Sequence, residues 1–259
     1  MAATTSISVR ETPLLRALLA RADDALILGH RLSEWTGRAP TLEEELALAN
    51  VGLDLIGQAR ALYGYAAEIE GEGRTEDDYA YFREAPAFRN LLLVELPNGD
   101  FARTIARLAL YAAWMTPVWE AAAASSDATF AAVAARSVKE SAYHLRYAGD
   151  WLARLGDGTE ESHARAQAAL DVLWPYTGEM SRDVAAEAPL IEAGVLPDPA
   201  PLRPRWETTV AALLAEATLA RPADGWMQTG GRDGRHTEHL GHLLAEMQSL
   251  ARAHPGATW

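Results

Sequence analysis

The chain has 259 residues, 23 Lys+Arg against 36 Asp+Glu, no Cys and 49% hydrophobic residues, which suits one ordinary globular domain, or two small ones at most, and excludes a disordered, fibrous or disulfide-stapled chain. Without cysteine there is no thiolate cluster, zinc ribbon or cysteine nucleophile, so any metal must sit on His and carboxylate groups. A net charge of −13 repels nucleic acid and anionic membranes, and there is neither a signal-peptide pattern nor a run of ~20 apolar residues, so the expectation is a soluble, cytoplasmic protein.

Ala, Leu, Glu and Arg dominate, and Pro and Gly gather at intervals, so local preference gives helices separated by turns. The first helix spans about residues 12–37. The second, about 41–70, opens on Thr41 with Glu44 three residues on, a capping-box pattern. Its apolar residues fall on two sides, Leu42, Leu46, Leu53 and Ile56 against Leu48, Val51, Leu55 and Leu62, which predicts a central helix buried on both. Residues 71–99 form a long crossover. Asp100 is placed to cap a third helix to about 124, whose Tyr111, Trp114 and Trp119, like the first helix, are candidates for a partner interface.

The fourth helix, about 128–155, carries a stripe of Val133, Ala134, Val138, Ser141, Leu145, Ala148, Leu152 and Leu155 directed to a core. Thr159 caps a fifth helix to about 186, and further helices are expected at about 203–219 and 236–253. Long helices joined by short turns pair antiparallel, so the pattern is an all-α, ferritin-like four-helix bundle over about 12–155 with C-terminal helical additions over about 159–259, the whole forming a single domain. Twenty-two of the 23 basic residues are Arg, with Lys139 the only lysine, and alongside 52 alanines this reads as genomic base composition.

A di-iron bundle requires one carboxylate from each of two helices and a Glu-x-x-His pair from each of the other two. On the second helix the pair would be Asp54-Leu-Ile-Gly57, with glycine in the histidine slot; on the fourth, Glu140-Ser-Ala-Tyr143 puts tyrosine there. His144 comes one residue late, about 100° further round the helix. Asp23 or Asp24 could supply the first upstream acid, but Thr104 to Tyr111 contains none for the second half, and Glu120 lies at the far end of its helix. The residues therefore read as a decayed site at Asp24, Asp54, Gly57, Glu140, Tyr143 and His144. No metal or catalytic residue is assigned, and Asp54 and Glu140 are expected in hydrogen bonds or ion pairs.

Two other groups stand out. His236, Glu238, His239 and His242 are metal-ligand types without a clear third ligand nearby, and read better as a polar helix start. The loop Gly230, Gly231, Arg232, Gly234 and Arg235, ahead of a helix, could hold an anion or act as a docking loop.

The segments LGHRLSEWTGRAP (28–40), LALANVGLDLIGQAR (46–60), LLLVELPNGDFARTIAR (91–107), KESAYHLR (139–146), WLARLGDGT (151–159) and TGGRDGRHTEHLGHLLAEMQ (229–248) resemble, in order and from end to end, the PaaC-type subunits of phenylacetyl-CoA epoxidase. That resemblance implies a ferritin-like fold within a multicomponent monooxygenase of phenylacetate catabolism. It also implies a sister catalytic subunit that carries the di-iron centre and receives the acyl-CoA, and a separate reductase that supplies electrons through NADPH, flavin and an iron–sulfur cluster. A chain of this type binds no cofactor itself and is a structural partner of the catalytic subunit, in a heterodimer or a dimer of heterodimers with the other epoxidase components. Two further readings stay open on the residues alone: a self-sufficient metalloenzyme using Asp54, Glu140, His144 and Glu120 in a shifted site, and an acyl-CoA or anion-binding module built on Arg232 and Arg235.

Overall fold

The computed structural model describes residues 6–257, and every regular element among them is helical. Helix α1 (Pro13–Ser33) starts where Thr12 Oγ1 accepts the Leu15 N–H at 3.2 Å and Pro13 occupies the first turn. It stops short of the expected residue 37 because the N–H groups of Trp35 and Thr36 turn back to the carbonyls of Leu32 and Ser33. Helix α2 (Leu42–Glu70) packs antiparallel on α1, and the crossing is tight at Gly29 and Gly52, where a Cβ on Gly29 would stand 3.1 Å from the Gly52 carbonyl oxygen. The capping box expected at Thr41 does not form: Glu44 instead accepts from the Tyr147 hydroxyl at 2.6 Å, and Glu45 accepts the Gly37 N–H at 2.8 Å.

The crossover holds two short helices, α3 (Glu76–Tyr81) and α4 (Leu92–Glu95). Helix α5 (Phe101–Ala122) is capped by Asp100, which accepts the Arg103 N–H at 2.9 Å, and pairs with α6 (Ala128–Gly156) in the second hairpin. The α6 stripe lies inward as its spacing predicts, with Ala134, Ser141, Ala148 and Leu152 buried. Trp35 joins the hairpins, its indole N–H donating to Thr104 Oγ1 at 3.1 Å and its ring meeting Phe101 edge-on.

The fifth expected helix is interrupted. Helix α7 (Glu160–Leu173) begins at the Thr159 cap but gives way at Pro175 to short 3-10 turns and then α8 (Ala188–Glu192). Helices α9 (Leu202–Glu216) and α10 (Glu238–Ala253) are the last among the described residues. These additions cover α1, α5 and the crossover: Trp206 donates to the Leu110 carbonyl at 3.1 Å, Arg21 meets Glu187 at 3.1 Å, and Gln248 on α10 reaches the Ala80 carbonyl of α3 at 2.9 Å.

This covering overturns two expectations. The helices buried nearly all round are α1 and α5, whereas α2 buries only the side of Leu48, Val51, Leu55 and Leu62; Leu42, Leu46 and Leu53 stay 66%, 56% and 65% exposed. Likewise Tyr111, Trp114 and Trp119 are interior side chains under the C-terminal additions, so neither they nor α1 can form a partner interface. Amphipathic periodicity marks which sides of a helix are apolar, but which apolar side the rest of the chain covers depends on where the additions fold back.

Candidate functional site

The residues of the decayed-site pattern separate into two places. Between α2 and α6, His144 Nε2 lies 3.1 Å from Asp54 Oδ2, and Glu140 accepts from Gln58 at 2.9 Å and from Arg136 at 2.9 Å. His144 is buried, and that burial holds its imidazole below the ordinary histidine range in spite of the Asp54 carboxylate. Gly57 leaves a gap met by the Arg136 guanidinium, at 3.5 Å from where a Cβ would stand. Tyr143 points to the surface, 37% exposed and stacked on Tyr147 at 6.3 Å between ring centroids. Asp54 and Glu140 are thus hydrogen-bonded, but both are only partly buried, Asp54 with 36% of its side chain exposed.

Asp24 lies elsewhere. It faces α5 and the C-terminal segment, fully buried, and its Oδ2 meets Arg232 Nη2 at 2.6 Å while Oδ1 takes the Leu91 N–H at 2.7 Å. Burial pushes its carboxyl up to about 6, opposed by the Arg232 guanidinium. The neighbouring Asp23 forms a separate cluster, bonded to the buried Arg83 guanidinium and accepting the Tyr63 hydroxyl at 2.5 Å. Glu120 pairs with Arg205 at 2.5 Å on the surface.

The glycine-arginine loop does hold an anion, and the anion is the protein's own. The Glu179 carboxylate, buried, accepts the N–H groups of Gly230 at 2.9 Å and Arg232 at 3.3 Å on one oxygen and of Leu92 at 2.9 Å on the other. Arg232 also donates to the carbonyls of Ala20 and Arg89, at 3.0 and 2.8 Å. Arg235 is exposed and meets Asp233 at 3.1 Å. His236 Nδ1 lies 2.8 Å from Glu95 and its Nε2 3.0 Å from the Phe88 carbonyl, so both ring nitrogens face acceptors, an arrangement that favours the imidazolium and raises its pKa. Residues 229–237 therefore act as a latch docked on α1 and α4, with their anion-binding donors used internally.

This donor set does not fit two redox-active irons. Asp24 is neutralised by Arg232, Glu140 is engaged by Gln58 and Arg136, and Asp54 has a single nitrogen neighbour. Among the described residues no three His, Cys, Asp or Glu side chains stand together where a metal ion could be held. His236 is likewise taken up by Glu95 and Phe88.

Sequence reasoning missed Glu95, Glu179 and Arg83, all buried and all central to these networks. Glu95 carried a signal, an acid set within LLLVELP, where apolar neighbours on both sides flag burial. Glu179 and Arg83 carried none, because their partners lie far away in the chain.

A model of the family described as phenylacetic acid catabolic protein matches residues 1–259. The chain is also 48% identical over 241 residues to a 1,2-phenylacetyl-CoA epoxidase subunit of Escherichia coli (strain K12), an alignment covering 93% of this chain and 97% of that protein.

Proposed function

The chain belongs to the phenylacetic acid catabolic protein family, and on that premise we propose that it is a non-catalytic structural subunit of a multicomponent di-iron monooxygenase that epoxidises the aromatic ring of phenylacetyl-CoA. The observation that carries this reading is the ligand inventory. Glycine and tyrosine occupy the two histidine slots at 57 and 143, and each remaining acid is tied to a protein partner, Asp24 to Arg232, Asp54 to His144 and Glu140 to Arg136.

The iron, the acyl-CoA and the oxygen chemistry then belong to a catalytic sister subunit, and the electrons to a separate reductase using NADPH, flavin and an iron–sulfur centre. The name of the Escherichia coli relative, which is that of one epoxidase subunit among others, supports membership in such an assembly. This chain's part is to pair with the catalytic bundle and hold its shape, in the cytoplasm. Among the described residues no helix is long and apolar enough to cross a membrane.

The test is metal content by elemental mass spectrometry on the chain expressed alone in iron-replete medium and purified without chelator, followed by mixing with the catalytic subunit and reductase. The expected result is iron far below one atom per chain, and epoxide formed only when the catalytic subunit is present. About two irons per chain, with turnover by the chain and reductase alone, would overturn it.

A further inference from the structure

Three aromatic side chains follow one another on α6 at steps of four, Tyr143, Tyr147 and Trp151, so they lie on one ridge of the helix. The outer two each have a guanidinium against the ring, Arg146 at 5.6 Å from the Tyr143 centre and Arg154 at 5.2 Å from that of Trp151. The middle one has a carboxylate instead: the Tyr147 hydroxyl donates to Glu44 Oε2 at 2.6 Å, across to the first turn of α2. Trp151 meets Phe101 edge-on at 5.0 Å, and Phe101 meets Trp35 at 5.8 Å, so the ridge continues as a run of rings to the junction of the two hairpins.

We infer that Tyr147 is a one-electron oxidation site with Glu44 as its proton acceptor, placed to collect oxidising equivalents that enter through Trp35 or Trp151. A cation held against a ring opposes loss of an electron from it, so a positive hole is disfavoured on Tyr143 and Trp151 and passes to the ring between them. An oxidised phenol is a strong acid, and its electron leaves readily only where the proton has a base to go to. Burial and the Glu44 carboxylate hold the Tyr147 hydroxyl well above the ordinary phenol range, with no arginine opposing them. In the step, an oxygen-centred radical takes one electron from Trp151 and becomes an oxyanion that solvent protonates. The Trp151 radical cation takes one electron from Tyr147, and the phenolic proton moves from Tyr147 Oη to Glu44 Oε2, leaving a neutral phenoxyl radical and a neutral carboxylic acid. A thiol or ascorbate then returns the electron, and Glu44 returns the proton.

The other tyrosine–carboxylate pairs lack this combination. Tyr63 donates to Asp23 but also accepts from Arg83 at 3.0 Å, and that guanidinium stands 5.4 Å from its ring centre. Tyr79 donates to Glu70, which Arg74 binds as well. Tyr65 donates to Asp127, whose other oxygen caps α6 by accepting the Phe130 N–H at 2.9 Å. Glu44 takes no second donor among the described residues. Oxygen-centred radicals are what O2 activation releases when it is not spent on substrate. That source rests on the subunit reading given above, whereas the oxidation site does not.

The test is flash photolysis of the full chain with ruthenium tris-bipyridine and a sacrificial electron acceptor, the ruthenium(III) so formed being the oxidant. Radicals are read by transient absorption and by electron paramagnetic resonance of freeze-trapped samples. The expected result is a neutral tyrosyl radical that Tyr147→Phe removes, leaving a tryptophan radical in its place, and that Tyr65→Phe leaves unchanged. Glu44→Gln should slow its formation at least about 10-fold, and added buffer base should restore part of the rate. Tyr147 and Glu44 are half-buried and both changes are conservative, so the fold should hold. A tyrosyl signal that survives Tyr147→Phe, or a rate that Glu44→Gln leaves alone, overturns the inference whatever the chain's partners are. The source of the oxidant is tested by running the assembled catalytic subunit and reductase without substrate, where the Tyr147→Phe chain should accumulate more oxidised Trp35 and Trp151 in peptide mass maps than the wild type. Equal oxidation overturns the collecting role, and failure of the wild-type chain to assemble overturns the subunit reading while the flash result still decides the site.

Discussion

Arg232 closes over Asp24, Nη2 to Oδ2 at 2.6 Å, across 208 residues of chain. A fully buried carboxylate needs a compensating charge, and an arginine on the covering segment supplies it with directional hydrogen bonds. The same solution recurs one residue earlier, where Arg83 from the crossover meets Asp23.

Arg232→Met should therefore destabilise by about 3–5 kcal/mol at neutral pH, the cost of a buried charge left unpaired. Asp24 already has its carboxyl raised to about 6 by burial, and loss of the guanidinium raises it further. A carboxyl whose native pKa lies above its unfolded value adds stability that is present at low pH and lost as pH rises through the native value. Urea denaturation of the variant should accordingly show a deficit that is smaller at pH 5 than at pH 8. Adding Asp24→Asn should recover part of the loss at pH 8. Equal deficits at both pH values would count against the pair as the cause.

His236 gives a second pH dependence. Burial alone would lower its pKa, but the Glu95 carboxylate outweighs it and the native value is raised. The stabilisation is then complete below the unfolded value of about 6.5 and is lost as pH rises through the native value. Melting temperature should fall across that interval in the wild-type protein, and His236→Gln, which cannot carry the charge, should flatten the fall. An identical slope in the variant would show that the latch does not depend on the imidazolium.

The bundle was legible in the sequence because its signals are local. The caps at Asp100 and Thr159 and the inward stripe of α6 each depend on residues within a few turns of one another. Gly57 and Tyr143 three residues after Asp54 and Glu140 could be read from the sequence too, because slots spaced three apart on one helix can be audited without knowing the neighbours. What was not legible was pairing at long range. That Arg232 turns inward to Asp24, or that Glu179 fills the glycine loop, depends on how residues 160–237 return to α1. The two apolar sides of α2 are a further example: Leu48 and Leu46 look alike in sequence, yet only one is covered by this chain.

His144 should show the opposite sign from His236. Its native pKa is lowered, chiefly by burial, so it is neutral in the folded protein at pH 7 while the unfolded chain takes up a proton at about 6.5. Its contribution is present above 6.5 and lost as pH falls toward the native value. An NMR titration of its ring should give a midpoint below 6.5. Asp54→Asn, by removing the carboxylate that favours the charged form, should lower the midpoint further. A midpoint that does not move would mean that the 3.1 Å approach of the two side chains carries no electrostatic coupling.

The docking of the latch can be tested with one substitution made at two glycines. Gly231 lies so close to the strand of chain before α4 that a Cβ there would fall on the Asn90 carbonyl oxygen and stand 3.1 Å from the Leu92 N–H nitrogen. Both neighbours are backbone, so relief requires the latch to lift, and with it the bonds that Arg232, Glu179 and His236 make across this seam. Gly231→Ala should cost roughly 2 kcal/mol or more and make residues 229–237 the first site of proteolytic nicking. Gly64 sits inside α2 with nothing near where its Cβ would stand, so Gly64→Ala should stabilise by about 0.5–1 kcal/mol through helix propensity alone. Opposite signs from the same added methyl group, read in one denaturation series, would tie the loss at 231 to close approach of the latch; a loss at both would point to a general intolerance of alanine at these helices and dissociate it from the latch.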